Sequence, residues 1–277
     1  MFDVHVPTNR PETIMDFVSN FEEHMEPYGA KLFINYNGEH DGRVVRCLLA
    51  KKNIITILNL PDPHPSMCRL RRDLHKFIAD RPWMLFDCDD KFTKDSFEFY
   101  SECIIAMNKV KNITGRPAFC GTAGIFGSNF AEDRVHISPR NALMPKGHGL
   151  IFDSAINFES AKFNHLDFLK SSLEEATFCA LAITEYQAIP LKRFKCPTKI
   201  TFRKFDDRKK SYVHDYEVWD KNCMAYIRHL ANEPSWKYPR KMGDEGSNSP
   251  KYFVKYAKDL LKDKRLQEFN LKGNKNV

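Results

Sequence analysis

The stretch RPWMLFDCDDKFTK, residues 81–94, runs from an apolar segment, Trp83 to Phe86, straight into three carboxylates, Asp87, Asp89 and Asp90. Neighbouring carboxylates repel one another unless a cation or a proton sits between them. A buried strand that empties into such a cluster therefore delivers it to a pocket, and a solvated acidic turn is the plain alternative. Three sharper readings fit the pattern: a divalent-metal site for a nucleotide-sugar, a phosphatase aspartate nucleophile, and a nucleotidyltransferase metal site. Cys88, between two of the acids, reads as a small filler, because adjacent carboxylates disfavour its thiolate.

The residues before this stretch set the fold class. FDVHVPT (2–8) has the pattern of a buried strand. Pro11 then opens a helix on which Ile14, Phe17, Val18, Phe21 and Met25 recur at helical spacing. KLFINYNG (31–38) and NIITILNLP (53–61) read as two further strands, and a helical stretch around 66–79 leads to the apolar run. This alternation predicts an α/β protein with a mostly parallel sheet flanked by helices. Ligands of such sheets bind at the carboxyl ends of the strands, where both PTNRP (7–11) and DCDD (87–90) fall. Phe97, Tyr100, Ile104 and Met107 mark another helix. Residues 112–165 are looser and glycine-dense, and SSLEEATFCALAITEY (171–186) is a well-signalled helix.

The 277 residues, 42% of them apolar, are enough for a full core. No apolar run reaches the length of a membrane span, and MFDVHVPTNRP lacks a signal-peptide layout, so the expected location is cytoplasmic, with no membrane and no obligatory protein partner. The eight cysteines form no CxxC pair and read as reduced. The net charge of +7 is unevenly spread: residues 191–277 hold 22 Lys and Arg against 11 Asp and Glu, and residues 1–190 hold 21 against 25. Basic residues in the tail interleave with Tyr212, Tyr216, Trp219, Tyr226, Trp236 and Tyr238, the electrostatic footprint of a polyanion binder. The expected division is a catalytic domain over 1–190 and a basic helical C-terminal extension over 191–277 packed on it.

These residues resemble the glycosyltransferases of the GT-A fold. In that family an opening strand runs into a Pro-Thr turn that holds the nucleotide, here Pro7, Thr8, Asn9 and Arg10, and a later strand ends in Asp-x-Asp, here Asp87, Cys88 and Asp89. The resemblance implies that Asp87 meets the ribose or sugar and that Asp89 binds a divalent metal, Mn²⁺ or Mg²⁺, bridging the donor diphosphate. Such cations favour a few carboxylate oxygens plus substrate phosphates. It also implies an acidic pair at the start of an acceptor-side helix, matched by Glu174 and Glu175, and in some families a C-terminal histidine in the metal site, for which His214 is available. An inverting transfer needs a base for the acceptor hydroxyl, and Glu175 is the first candidate, with Asp153 and Asp167 as rivals. Ser171 and Ser172 stand three residues before the two glutamates, so one glutamate can instead serve a helix-capping box.

With its short catalytic part and basic, aromatic tail, the chain looks like the DNA-modifying sugar transferases of T-even-type phages, nearest the β-glucosyl-HMC-α-glucosyltransferases, which extend a glucose already carried by hydroxymethylcytosine. That likeness implies a UDP-sugar donor, most simply UDP-glucose, a modified double-stranded DNA acceptor, and the infected host's cytoplasm as the place of action. Lys204, Arg208, Lys209 and Lys210, the densest basic cluster, would hold DNA phosphates. Two rivals fit less well. A haloacid dehalogenase-like phosphatase would place Thr where Lys91 stands and would end its first strand with the motif. A non-catalytic DNA-binding module would leave acids facing a polyanion, at a cost in affinity.

Overall fold

The structure is a computed structural model that describes residues 1–38, 42–61, 66–122, 135–137, 149–168, 174–193, 199–200, 259–260 and 262–269. β1 (Asp3–Thr8) is buried at every position, as a central parallel strand covered on both faces must be. It pairs in parallel with β2 (Lys31–Tyr36) on one side and β4 (Trp83–Leu85) on the other, and β3 (Ile54–Leu58) extends the parallel set beyond β2. Past β4 the sheet becomes mixed. β8 (Leu150–Phe152) runs antiparallel to both β4 and β6 (Ala118–Thr122), β9 (Ile189–Arg193) is parallel to β6, and β7 (Val135–Ile137) closes the edge antiparallel to β9. The resulting eight-stranded order is β3-β2-β1-β4-β8-β6-β9-β7. A separate ribbon pairs β5 (Asp90–Lys91) with β10 (Lys199–Ile200).

Strand side chains alternate between two cores, as the pleat requires. Val4, Val6, Leu32, Ile34, Met84 and Ile151 face α1 (Pro11–His24), α2 (Gly42–Leu49) and α4 (Ser96–Thr114). Trp83, Leu85, Phe119 and Phe152 face the other way, toward α3 (Met67–Arg72), the 3₁₀ segment Ala161–Phe168 and α5 (Glu174–Tyr186). Pro11 occupies the first turn of α1, where its missing N–H costs nothing and its fixed φ favours the helix.

The mostly parallel, helix-flanked sheet is the one expected from the sequence. The expected division after residue 190 falls inside β9, whose Leu191 lies in the first core. Leu260 and Leu266 also join that core, and Arg265 Nη1 donates to the Ile113 carbonyl at the end of α4 at 3.3 Å. Among the described residues no helix is long and apolar enough to cross a membrane.

Two histidines are sealed in the second layer. His5 stacks on Trp83 with centroids 5.6 Å apart, and neither of its ring nitrogens has a partner. Burial, with the nearby Arg71 charge acting in the same direction, pulls its pKa down to about 3. His75 accepts the Phe158 N–H through Nδ1 at 3.0 Å, and burial holds its pKa well below the ordinary value. Both rings are therefore neutral in the folded chain and titrate near 6.5 once unfolded. The stability they allow is complete above that value and declines as pH falls toward 3, because only the unfolded chain takes up the protons. The urea midpoint is expected to hold between pH 7 and 8 and to fall progressively below 6.5. His5→Leu, which removes two unpaired buried nitrogens, is expected to flatten that decline, and an unchanged slope would place its cause elsewhere.

Candidate functional site

The parallel pairing of β1 with β4 brings the two motifs together. Thr8, the last residue of β1, has Oγ1 3.1 Å from Cys88 Sγ and accepts the Arg10 backbone N–H at 3.1 Å, which shapes the turn into α1. Burial pushes the Cys88 thiol up to about 12, so it stays protonated and serves as a packed link between the two strand ends. Asp89 Oδ2 accepts from Arg10 Nη1 at 2.9 Å, and Asp87 Oδ1 accepts from Arg71 Nη2 at 2.8 Å. Asp90, the third acid of the run, is buried and belongs to the β5–β10 ribbon.

β2 ends beside them. The Asn37 backbone N–H donates to the Thr8 carbonyl at 3.0 Å, which continues the β1–β2 pairing past the strand. Gly38 follows, and a Cβ there would stand 2.5 Å from the Asn9 carbonyl oxygen, so glycine is what lets these two strand ends approach. The Asn37 side chain is buried with neither its amide nitrogen nor its oxygen hydrogen-bonded. Such a group costs about 1–3 kcal/mol if left unpaired, and at the carboxyl end of a parallel strand a ligand is a natural partner for it. Asn35 donates to the Leu70 carbonyl at 2.7 Å and accepts from Asn59, which ties the ends of β2 and β3 to α3.

The acids expected on the acceptor side are placed differently from one another. Glu174 opens α5, and Glu175 lies partly buried in its first turn. α5 passes through Gln187 and Ala188 into the start of β9, which pairs with the start of β6. A helix of this length spans about 20 Å, and its last turn, not its first, is the end tied to β9. Asp153 is not brought to the edge that carries Asp87 and Asp89. β8 runs antiparallel to β4, with Phe152 opposite Trp83, so Asp153 leaves the sheet at the far end. There it is buried, accepts from Lys111 Nζ at 2.9 Å and from the Ala155 N–H at 2.9 Å, and holds a turn. Asp167 is engaged by both forks of Arg72, through Nε at 2.9 Å and Nη2 at 2.5 Å. His214, Lys204, Arg208, Lys209 and Lys210 lie outside the described residues.

Asp87 and Asp89 present carboxylate oxygens at one strand end, which suits a hard divalent cation completed by substrate phosphates. Among the described residues no group of three or more His, Cys, Asp or Glu side chains converges on a metal site. Sequence reading missed Arg71 and Asn37. Arg71 looks like one of several solvated arginines in CRLRRDLHK (68–76), yet its side chain is fully buried and reaches Asp87 sixteen positions later.

The two aspartates therefore differ in what they support. Asp87→Asn removes a carboxylate from a buried guanidinium, whereas the Arg10 side chain, 32% exposed, can turn to water. Asp87→Asn is expected to cost about 1–3 kcal/mol of stability and Asp89→Asn well under that, read as the difference in urea midpoints. Equal losses would mean that Arg71 has a sufficient second partner.

No family model matches the sequence, and no curated protein matches it. Solved structures do match. A structure of S. aureus TarS residues 1–349 superposes with a TM-score of 0.54 at 17% identity, covering 85% of this chain and 66% of that one. The same fragment in complex with UDP-GlcNAc gives 0.53 at 18%, covering 85% and 68%. Full-length TarS gives 0.51 at 18%, with 85% of this chain but only 40% of TarS covered. This chain thus spans just under two thirds of the first of these structures. At such identities the likeness is one of fold alone: the mostly parallel, helix-flanked sheet is shared with TarS.

Proposed function

We propose that this chain is a metal-dependent glycosyltransferase that moves a sugar from a UDP-sugar, most simply UDP-glucose, onto glucosylated hydroxymethylcytosine in phage DNA. The observation that carries the reading is the meeting of the Thr8–Arg10 turn with Asp87 and Asp89 at one sheet edge. A protein of the same fold, TarS, is seen with UDP-GlcNAc, which supports a UDP-linked donor. Pro7, Thr8, Asn9 and Arg10 would then cradle the nucleotide. Asn37, with one amide donor and one acceptor unpaired, suits the imide edge of a uracil.

Asp89 and Asp87, with His214 as a further ligand, would hold Mn²⁺ or Mg²⁺. When bound, that cation offsets the charge that gathers on the departing diphosphate. Arg71 fixes the rotamer of Asp87, so that one carboxylate oxygen is committed to the guanidinium and the group cannot swing away from the donor. Glu175, or Glu174 beside it, takes the proton of the acceptor hydroxyl as the new glycosidic bond forms. Asp153 has no part in this reading, and Asp167 serves to anchor Arg72. A glucose on the C5 substituent of the pyrimidine projects into the major groove and is reachable without unpairing the base. The basic tail, with Lys204, Arg208, Lys209 and Lys210, would grip the phosphates alongside.

The deciding experiment incubates the protein and Mn²⁺ with a panel of UDP-sugars and with unmodified, hydroxymethylated and glucosylated duplex DNA, followed by nucleoside mass spectrometry. One added hexose on the glucosylated nucleoside is the expected product. UDP release without any modified nucleoside would move the acceptor to another saccharide. Glu175→Gln is expected to lower turnover by roughly 10²-fold with little change in Tm, since glutamine retains a capping hydrogen bond. A small effect would reassign the base. Replacing Arg208, Lys209 and Lys210 by Ala is expected to flatten the slope of log affinity against log salt by about 0.9 per lost phosphate contact, with UDP-sugar affinity unchanged. Wild-type slope in that variant would leave the cluster as solvated surface.

A further inference from the structure

The two arginines that meet the aspartates are not equivalent. Arg71 has a side chain with no exposure, sits within α3, and also reaches the Phe86 carbonyl at 3.5 Å. It is built in. Arg10 lies in the turn between β1 and α1, its side chain is 32% exposed, and among the described residues its guanidinium makes a single ion pair, to Asp89 Oδ2 at 2.9 Å. It can leave more cheaply than Arg71, because a partly exposed guanidinium can turn to water and its pair is partly screened.

The oxygen that Arg10 covers belongs to the carboxylate read above as the metal ligand. A guanidinium and a divalent cation on one carboxylate repel each other, so one excludes the other unless the guanidinium moves. A diphosphate offers Arg10 a better partner than Asp89 does, since the planar fork matches phosphate oxygens in pairs. We propose that Arg10 is an exchangeable guard: it occupies Asp89 in the free protein, and it transfers to the donor diphosphate when that arrives, which frees Asp89 for the cation. Arg10 thereby makes cation and donor bind cooperatively, and by linkage each raises the other's affinity by the same factor. The free protein is left with a neutralised acid pair and a weak hold on metal. This rests on the assignment of Asp89 as metal ligand and of residues 7–10 as the donor turn.

The test is a Mn²⁺ titration, followed by the electron paramagnetic resonance signal of the aqueous ion, with and without UDP. It is run on wild type, Arg10→Gln, Arg10→Lys and Asp89→Asn, the last defining binding at unrelated sites. Without UDP, Arg10→Gln is expected to bind Mn²⁺ roughly 3- to 5-fold more tightly than wild type, the scale of one partly screened ion pair removed. UDP is expected to tighten Mn²⁺ binding strongly in wild type. That enhancement is expected to shrink by about tenfold or more in Arg10→Gln, the scale of a lost charge-assisted hydrogen bond. Arg10→Lys, which keeps the charge, is expected to bind free Mn²⁺ as weakly as wild type.

A residue that only shaped the turn would not tighten metal binding when changed. Unchanged or weaker Mn²⁺ binding by Arg10→Gln without UDP overturns the exchange, as does an undiminished UDP enhancement. If wild type binds UDP but no Mn²⁺ under either condition beyond the Asp89→Asn level, the metal assignment itself falls and takes the exchange with it. That outcome is distinct from the first two, in which wild-type Mn²⁺ binding is present.

Discussion

β1 and β4 pair over only three positions, Asp3 with Trp83, Val4 with Met84 and His5 with Leu85, and the site depends on that register. The pairing continues past β4 in the hydrogen bond from the Phe86 N–H to the His5 carbonyl at 3.1 Å. Thr8 is thereby carried to Cys88, and the flanking aspartates to Arg10 and Arg71. A slip of one residue would turn Trp83 toward the wrong core and send Asp87 and Asp89 to the opposite faces. The stacking of Trp83 between His5 and Phe152, with its indole N–H donated to the Ile156 carbonyl at 2.8 Å, makes that slip costly. Core packing below the strand ends is thus what fixes chemistry above them.

The parts of this arrangement with local signals could be read from the chain. Buried strands announce themselves by apolar runs, α1 by Pro11 and its spacing, and the joining of PTNRP with DCDD by their places at the carboxyl ends of neighbouring parallel strands. The direction of β8 had no such signal. LIF followed by Asp153 looks like another apolar strand delivering an acid, and only the antiparallel pairing with β4 sends that acid to the far end, where Lys111 meets it. Asp167 and Arg71 were illegible for a related reason: a carboxylate or guanidinium on a polar stretch carries no mark of its partner, and their partners lie 95 and 16 positions away. Asn37 was hidden because an unpaired amide is a property of its surroundings, not of its neighbours in sequence.

The fold alone does not choose a reaction. The match to TarS establishes architecture, and the step to chemistry comes from individual atoms: a buried arginine that immobilises one aspartate, a partly exposed arginine that covers the other, a thiol held protonated beneath both, and an amide left without partners.

Arg193 is paired at once with Thr122 at the end of β6 and with Val135 at the start of β7. The chain from 123 to 134 therefore departs and returns at one point, on the edge of the sheet that carries the aspartates. Closing a longer excursion between fixed ends is cheap, about 0.6 kcal/mol for each doubling of length, and neither end needs to move. Arg193 itself is held by the Phe99 carbonyl at 2.8 Å and lies over the Phe99 ring at 4.1 Å. Descendants of this chain can thus lengthen, shorten or rewrite that stretch while the scaffold stays as it is: the molecule's room for evolutionary change is concentrated at the edge that carries the aspartates.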